Sequence, residues 1–230
     1  MFDLTRKSAE KRLSLLFMSL ALLFTGSQFF SYFPYSWLPK ILPILVLIGW
    51  SVARKPQSLQ QKSFILGLVF SICGDILLAI KNGELFVFGL GAFLIAHLFY
   101  IVSLMPLEAS RVKPRLPALF AYVLLGIGVF SLFAPNLGPL LLPVSVYMLV
   151  LLLMACWTLL SRHSNYYLIV GGCAFVLSDS LIGLNKFYSP IPYSEVWIMA
   201  SYYLAQFCLM TGMMRNKIIF DGKTAAAEPS

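Results

Sequence analysis

Apolar residues run along this chain in long stretches broken by short polar clusters. Cut at the charges and at Pro, Gly and Asn punctuation, the sequence predicts eight apolar segments, at about 13–33, 37–53, 63–81, 85–105, 117–134, 138–160, 165–186 and 194–214. Most approach the roughly 20 residues that an α-helix needs to cross the bilayer core. The second is short for a span, and Pro39 and Pro43 are expected to kink its start. Turn signals at Phe33-Pro34, Ala134-Pro135-Asn136 and Ser189-Pro190-Ile191-Pro192 separate neighbouring segments. The expected fold is all-α: a polytopic membrane helical bundle of eight transmembrane helices. It forms a single membrane domain over 13–214, with a cytoplasmic segment at 1–12 and a cytoplasmic, disordered tail at 215–230.

Two positions break the apolar pattern at a cost. Asp75 lies inside FILGLVFSICGDILLAI and Asp179 inside LIVGGCAFVLSDSLIGL. A carboxylate near the bilayer centre costs roughly 2.5–3.5 kcal/mol even on the lenient insertion scale, so both are functional candidates. Counted from the cytoplasmic ends of the third and seventh segments, they fall at similar depth, in the outer half of the bilayer. Two carboxyl groups at one level can face each other across a bundle interior. Desolvation and mutual repulsion then leave a neutral acid beside a carboxylate. General acid/base hydrolysis requires that pair. The alternative is structural, each aspartate hydrogen-bonded to Ser or Tyr and holding helices together.

Composition agrees with the pattern. The 230 residues are 60% hydrophobic, 15% aromatic and 11% charged, against about 25% charged in soluble domains. The net charge of +8 does not point to nucleic acid, because the cations lie in short loops between spans. Fourteen of the seventeen fall on one side: Arg6, Lys7, Lys11, Arg12, Arg54, Lys55, Lys62, Arg111, Lys113, Arg115, Arg162, Arg215, Lys217 and Lys223. Both termini are therefore expected in the cytoplasm. The run from Leu13 to Phe33 is too long for a signal-peptide core and reads as the first span. Cys73, Cys156, Cys173 and Cys208 all fall in apolar spans without CxxC spacing, as small buried residues do.

Aligning the two aspartates at an offset of 104 residues pairs Gly67 with Gly171, Leu77 with Leu181 and Ala79 with Gly183. Either a 4+4 internal repeat or the ordinary frequency of small residues at helix contacts accounts for this.

Other chemistry is sparse. His163 flanks Arg162 in a loop and reads as solvated, whereas His97 lies mid-span with Tyr100 one turn along the same face. His97 is either hydrogen-bonded within the bundle or orients an aspartate, water or substrate. With two histidines a three-histidine zinc site cannot be built, and no metal or other cofactor is expected. Lys40, Lys81 and Lys186 are the three outer cations, placed to meet a phosphate headgroup or to snorkel to the interface. Ser178 and Ser180 flank Asp179 without a histidine nearby in sequence, and no nucleophile elbow, P-loop or dinucleotide fingerprint occurs.

The segments WLPKILPIL (37–45), GLVFSICGDILL (67–78), GLGAFLIAHLFY (89–100), FVLSDSLIGLNKF (175–187) and PIPYSEVWIMASYYLAQ (190–206) together resemble the YhhN-like family of membrane lysoplasmalogenases. The resemblance implies an eight-span ether hydrolase that cleaves the vinyl ether bond of lysoplasmalogens. The products would be a fatty aldehyde and glycerophosphoethanolamine or glycerophosphocholine. It implies Asp75 and Asp179 as the catalytic pair. Lys40, His97, Tyr100, Ser178, Asn185, Lys186, Tyr202, Tyr203 and Gln206 are implied as substrate-binding candidates. The partners are then a lysophospholipid substrate and membrane lipids, with no nucleic acid. The location is a bacterial inner membrane or, in a eukaryote, the endoplasmic reticulum. The rival is a small transporter or lipid-binding protein using the aspartates as a proton or cation site. Polar residues gather in the outer half of the Asp-bearing spans, which favours a pocket sealed on the inner side.

Overall fold

A computed structural model describes residues 2–30, 37–80 and 85–215, with side chains from Ser8 onward. Within these residues the chain forms eight α-helices: α1 (Phe2–Ser27), α2 (Trp37–Ala53), α3 (Leu59–Ala79), α4 (Phe86–Ser103), α5 (Val112–Phe133), α6 (Leu141–Leu160), α7 (Tyr166–Phe187) and α8 (Ser194–Arg215). The Phe33-Pro34 turn, Lys81 and the tail beyond Arg215 lie outside the described residues.

Helix ends follow local chemistry more than apolar run length. α3 begins at Leu59 rather than near 63 because Ser58 and Gln61 form a capping box that satisfies two orphan amides. Asn165 caps α7 by accepting from the Leu168 amide, and its own amide donates to the Gly212 carbonyl of α8. α1 extends back to Phe2, so the charged N-terminal stretch continues the first helix. α2 runs unbroken through Pro43. The expected turn at Ala134-Pro135-Asn136 is two short 3₁₀ turns that lead into α6.

Six helical segments are long and apolar enough to cross a membrane; α2 is apolar but spans 17 residues. Large apolar side chains such as Leu22, Phe88, Phe120 and Leu142 stand exposed on the outside. A surface of this kind is stable against lipid rather than water. The protein is an integral membrane protein.

The bundle is polar at its centre. α8 has the lowest mean hydropathy of the six candidate segments, 1.2, yet 72% of its most apolar 18-residue stretch is buried; the segment carrying α5 has 2.2 and only 17%. A helix facing lipid must be apolar, whereas one surrounded by helices can carry tyrosine and glutamine if they find partners. α3 packs most extensively on α4, and α7 on α8. Glycines make both contacts possible. Gly67 and Gly74 leave room for the rings of Tyr100 and Phe93, and a Cβ on Gly212 would lie 2.9 Å from the Leu168 backbone amide. Gly67 and Gly171, paired by the 104-residue offset, thus serve the corresponding helix pairs, α3 with α4 and α7 with α8.

Candidate active site

Asp75 sits in the penultimate turn of α3 and is 2% exposed. α2 brings Lys40, whose Nζ lies 3.4 Å from Asp75 Oδ1. α8 brings Tyr202, whose hydroxyl donates to Oδ2 at 2.7 Å. The next residue, Tyr203, donates to the Lys40 carbonyl at 2.7 Å and so pins the backbone that carries the lysine. That anchor lies one residue past the carbonyl left without an amide partner by Pro43.

One turn before Asp75, on the same face of α3, Ser71 joins a closed polar ring. The Tyr100 hydroxyl donates to Gln206 Oε1 at 2.9 Å, Gln206 Nε2 donates to Ser71 Oγ at 3.1 Å, and Ser71 and Tyr100 share a hydrogen bond at 3.1 Å. Each group both gives and receives, so all three polar side chains are satisfied although almost fully buried.

Asp179, on α7, has different neighbours. The Tyr147 hydroxyl from α6 donates to Oδ2 at 2.5 Å, and His97 Nε2 from α4 stands 3.8 Å from the same oxygen. Asp179 also lines an apolar cleft between α3, α4, α5, α6 and α7; its walls include Leu78, Phe86, Phe93, Phe133, Met148 and Gly183. Asp75 is not among the residues lining it. Phe175 links their surroundings, with its ring edge-on to His97 at 4.7 Å and to Tyr202 at 5.7 Å.

The profile of the YhhN family matches residues 35–213. The chain belongs to the YhhN family. Among its relatives are the lysoplasmalogenases of Mycobacterium bovis and Mycobacterium tuberculosis, each 34% identical over 80% of this chain and 72% of theirs. The human lysoplasmalogenase TMEM86B is 31% identical over 79% of this chain and 76% of its own. No solved structure matches the chain significantly.

The remaining candidates are spread over this YhhN protein. Ser178 donates to the Ile198 carbonyl at 3.1 Å and ties α7 to α8. Asn185 accepts from the Ile191 amide at 2.9 Å and shapes the turn between the same helices. Lys186 lies over the Phe86 ring at 4.5 Å and the Phe187 ring at 5.9 Å, two rings of the cleft wall, so it stands at the cleft's rim. Lys40 faces Asp75 within the bundle rather than standing at an outer mouth. His163, read as solvated, is half-buried where Arg111 and Arg115 grip the α6–α7 turn; burial first, then Arg162 and Arg111, push its imidazole below its ordinary value.

Sequence reasoning missed Tyr147. A tyrosine in an apolar span reads as a core aromatic, and its partner is 32 residues away. The alignment of the two aspartates held a signal: the 104-residue offset maps Lys40 onto Val144, one turn before Tyr147. The helix preceding each aspartate-bearing helix thus supplies a partner to its carboxylate. Ser71 was also legible, four residues before Asp75 and hence on its face.

Proposed function

We propose that this protein is a lysoplasmalogenase, hydrolysing the vinyl ether bond of lysoplasmalogens to a fatty aldehyde and a glycerophospho-base. Bacterial and mammalian relatives that carry this name, aligned over most of both chains, support the activity. The observation that carries the mechanism is the pair of buried carboxyl groups, each accepting from a tyrosine hydroxyl, of which only Asp75 faces a lysine among the described residues.

A vinyl ether yields when its β-carbon is protonated, because the ether oxygen then shares the positive charge as an oxocarbenium ion. Water adds to that cation, and the hemiacetal collapses to aldehyde and alcohol. Asp75, held by Lys40, fits the ionised partner that stabilises the cation; Asp179, in an apolar wall, fits the acid. This is the division glycosidases make between two carboxyl groups. Lys186 lies seven residues beyond Asp179 on α7, about 10 Å along the helix. That spacing suits the phosphate of a lysolipid whose vinyl ether sits at Asp179. The positive-inside count orients the protein with both termini cytoplasmic.

The test is aldehyde release by purified protein from lysoplasmenyl-phosphatidylethanolamine, with an ester-linked lysolipid as control. Wild type should act on the vinyl ether alone. Aldehyde release by folded Asp75→Asn and Asp179→Asn proteins would rule out the carboxylate mechanism.

A further inference from the structure

We propose that His97 and Asp179 together hold the water that completes the hydrolysis, His97 positioning it and Asp179 receiving its proton. The proposal rests on the lysoplasmalogenase reading above and assigns a residue to its second step.

His97 is 0% exposed, and neither ring nitrogen has a hydrogen-bond partner among the described residues. An unpaired polar group costs free energy wherever water cannot reach it. Nor is the ring loosely placed. Phe175 meets it edge-on at 4.7 Å and Tyr147 at 5.5 Å, and Tyr100 lies one helical turn away at 6.4 Å. Around it Lys40, Tyr100, Tyr147, Tyr202 and Gln206 all find partners. The imidazole is therefore aimed, and what it is aimed at is the carboxyl group of Asp179.

The 3.8 Å from Nε2 to Asp179 Oδ2 is too long for a direct hydrogen bond. Two hydrogen bonds of about 2.8 Å meeting at one water span about 4.5 Å, so a shift of less than about 1 Å in either side chain admits a water that touches both atoms. Tyr147 approaches the same oxygen, whereas Oδ1 takes no hydrogen bond among the described residues and belongs to a side chain that lines the cleft. Asp179 thus has one oxygen for the substrate and one toward His97.

The chemistry closes on these groups. In the first step the Asp179 O–H bond breaks and its proton forms a C–H bond at the carbon β to the ether oxygen. The vinyl π pair supplies the electrons, leaving the oxocarbenium ion and an Asp179 carboxylate. In the second step the water oxygen forms a bond to the cationic carbon, and the water's proton passes to Asp179 Oδ2; rotation of the neutral carboxyl group about its Cβ–Cγ bond then returns the O–H to the cleft side for another cycle. The hemiacetal then loses its hydroxyl proton while the bond to the glycerol oxygen breaks and that oxygen is protonated. His97 touches neither reacting carbon, so it is a positioning residue.

The partition of the cation tests this. Turnover of lysoplasmenyl-phosphatidylethanolamine is run in D2O with detergent-purified protein, and unreacted substrate is recovered for mass spectrometry. Wild type should return unlabelled substrate, because water captures the cation before it reverts. His97→Phe should lose about 10²-fold in rate. It should also return substrate carrying deuterium on the vinyl carbon, because the cation now gives back a proton. His97→Gln, whose amide reaches the Nε2 position, should restore the wild-type pattern; His97→Asn, whose amide reaches only Nδ1, should not. The Gln and Asn proteins carry the test if the Phe protein fails to fold. A rate loss with unlabelled substrate in both the Phe and Asn proteins would mean a structural role and overturn the proposal, as would unchanged rates. A wild type that releases no aldehyde would instead overturn the lysoplasmalogenase reading and this proposal with it.

Discussion

Asp75 and Asp179 occupy corresponding places on α3 and α7, yet the helices beside them supply unlike surroundings. Asp75 has a lysine, a tyrosine hydroxyl and, one turn away, a closed ring of Ser71, Tyr100 and Gln206. Asp179 has one tyrosine hydroxyl, an imidazole held beyond hydrogen-bond reach and an apolar cleft. Lys40 stands 3.4 Å from the first, whereas apolar walls surround the second. Similar positions on two helices thus have unlike surroundings, and the proposed division into acid and ionised partner rests on that contrast.

The largest expected effect tests whether both members of the pair are needed. Asp179→Asn cannot give up a carboxyl proton, and general acid catalysis contributes about 10²–10⁴-fold, so turnover should fall by about 10³-fold or more. Asp75→Asn should also lose activity, through the lost charge beside the cation. Initial rates of aldehyde release measure both. If Asp179→Asn keeps more activity than Asp75→Asn, the roles assigned to the two sides are reversed.

Stability should separate the sides in the other direction. Asp75→Asn leaves the Lys40 charge buried without its partner, which costs about 3–5 kcal/mol. Asp179→Asn disturbs one neutral hydrogen bond, worth about 1 kcal/mol. Lys40→Met should destabilise as Asp75→Asn does, and the double variant should recover most of the loss because no unpaired charge remains. Apparent melting temperatures in detergent give the cycle. Additive losses would show that the pair is not coupled and remove the basis for calling Asp75 the ionised side.

How much of this was legible in sequence follows from the same physics. The helices were readable from their long apolar runs, and six of the helical segments are long and apolar enough to cross a membrane, although α1 is not among them. Their ends were less readable: Ser58 and Gln61 look like loop residues but cap α3 four residues earlier than its apolar run begins. In the site, Asp75, Asp179 and His97 with Tyr100 stood out inside apolar spans, while Tyr202 and Gln206 came only with the family resemblance; hydrogen bonds and short contacts link them into two neighbouring groups. What sequence could not give was pairing. Nothing in WLPKILPIL says that Lys40 turns inward to a carboxylate 35 residues on, and nothing in a tyrosine among leucines says that its hydroxyl meets Asp179.

The two tyrosines give a finer test. A hydrogen bond to a charged group is worth about 1.5–3 kcal/mol and one between neutral groups about 0.5–1.5. Tyr202→Phe should therefore destabilise more than Tyr147→Phe, although Tyr147 makes the shorter bond. Rates should order the other way, because Tyr147 also lines the cleft and sets the acid's orientation. Equal losses of stability from the two Phe variants would mean that both carboxyl groups carry the same charge, and the contrast between the sides would fail.

The smallest expected effect concerns a single methyl group. The repeat pairs Gly183 on the Asp179 side with Ala79 on the Asp75 side. Gly183 lines the cleft one turn beyond Asp179, and a Cβ there would sit 3.0 Å from Phe133 Cε1 and 3.3 Å from Cζ. Such contacts are tight, so the Phe133 ring must move by a few tenths of an ångström or the cleft must narrow. Gly183→Ala thus makes the Asp179 side resemble its counterpart. It should raise KM for lysoplasmalogen about 3-fold while kcat stays within about 2-fold, the pattern of lost uniform binding. Helix propensity favours alanine by about 1 kcal/mol, so any fall in affinity would not come from a weaker helix. Gly183→Val should raise KM further. A fall in kcat with KM unchanged would place the cleft outside the substrate path and leave Asp179 without its site.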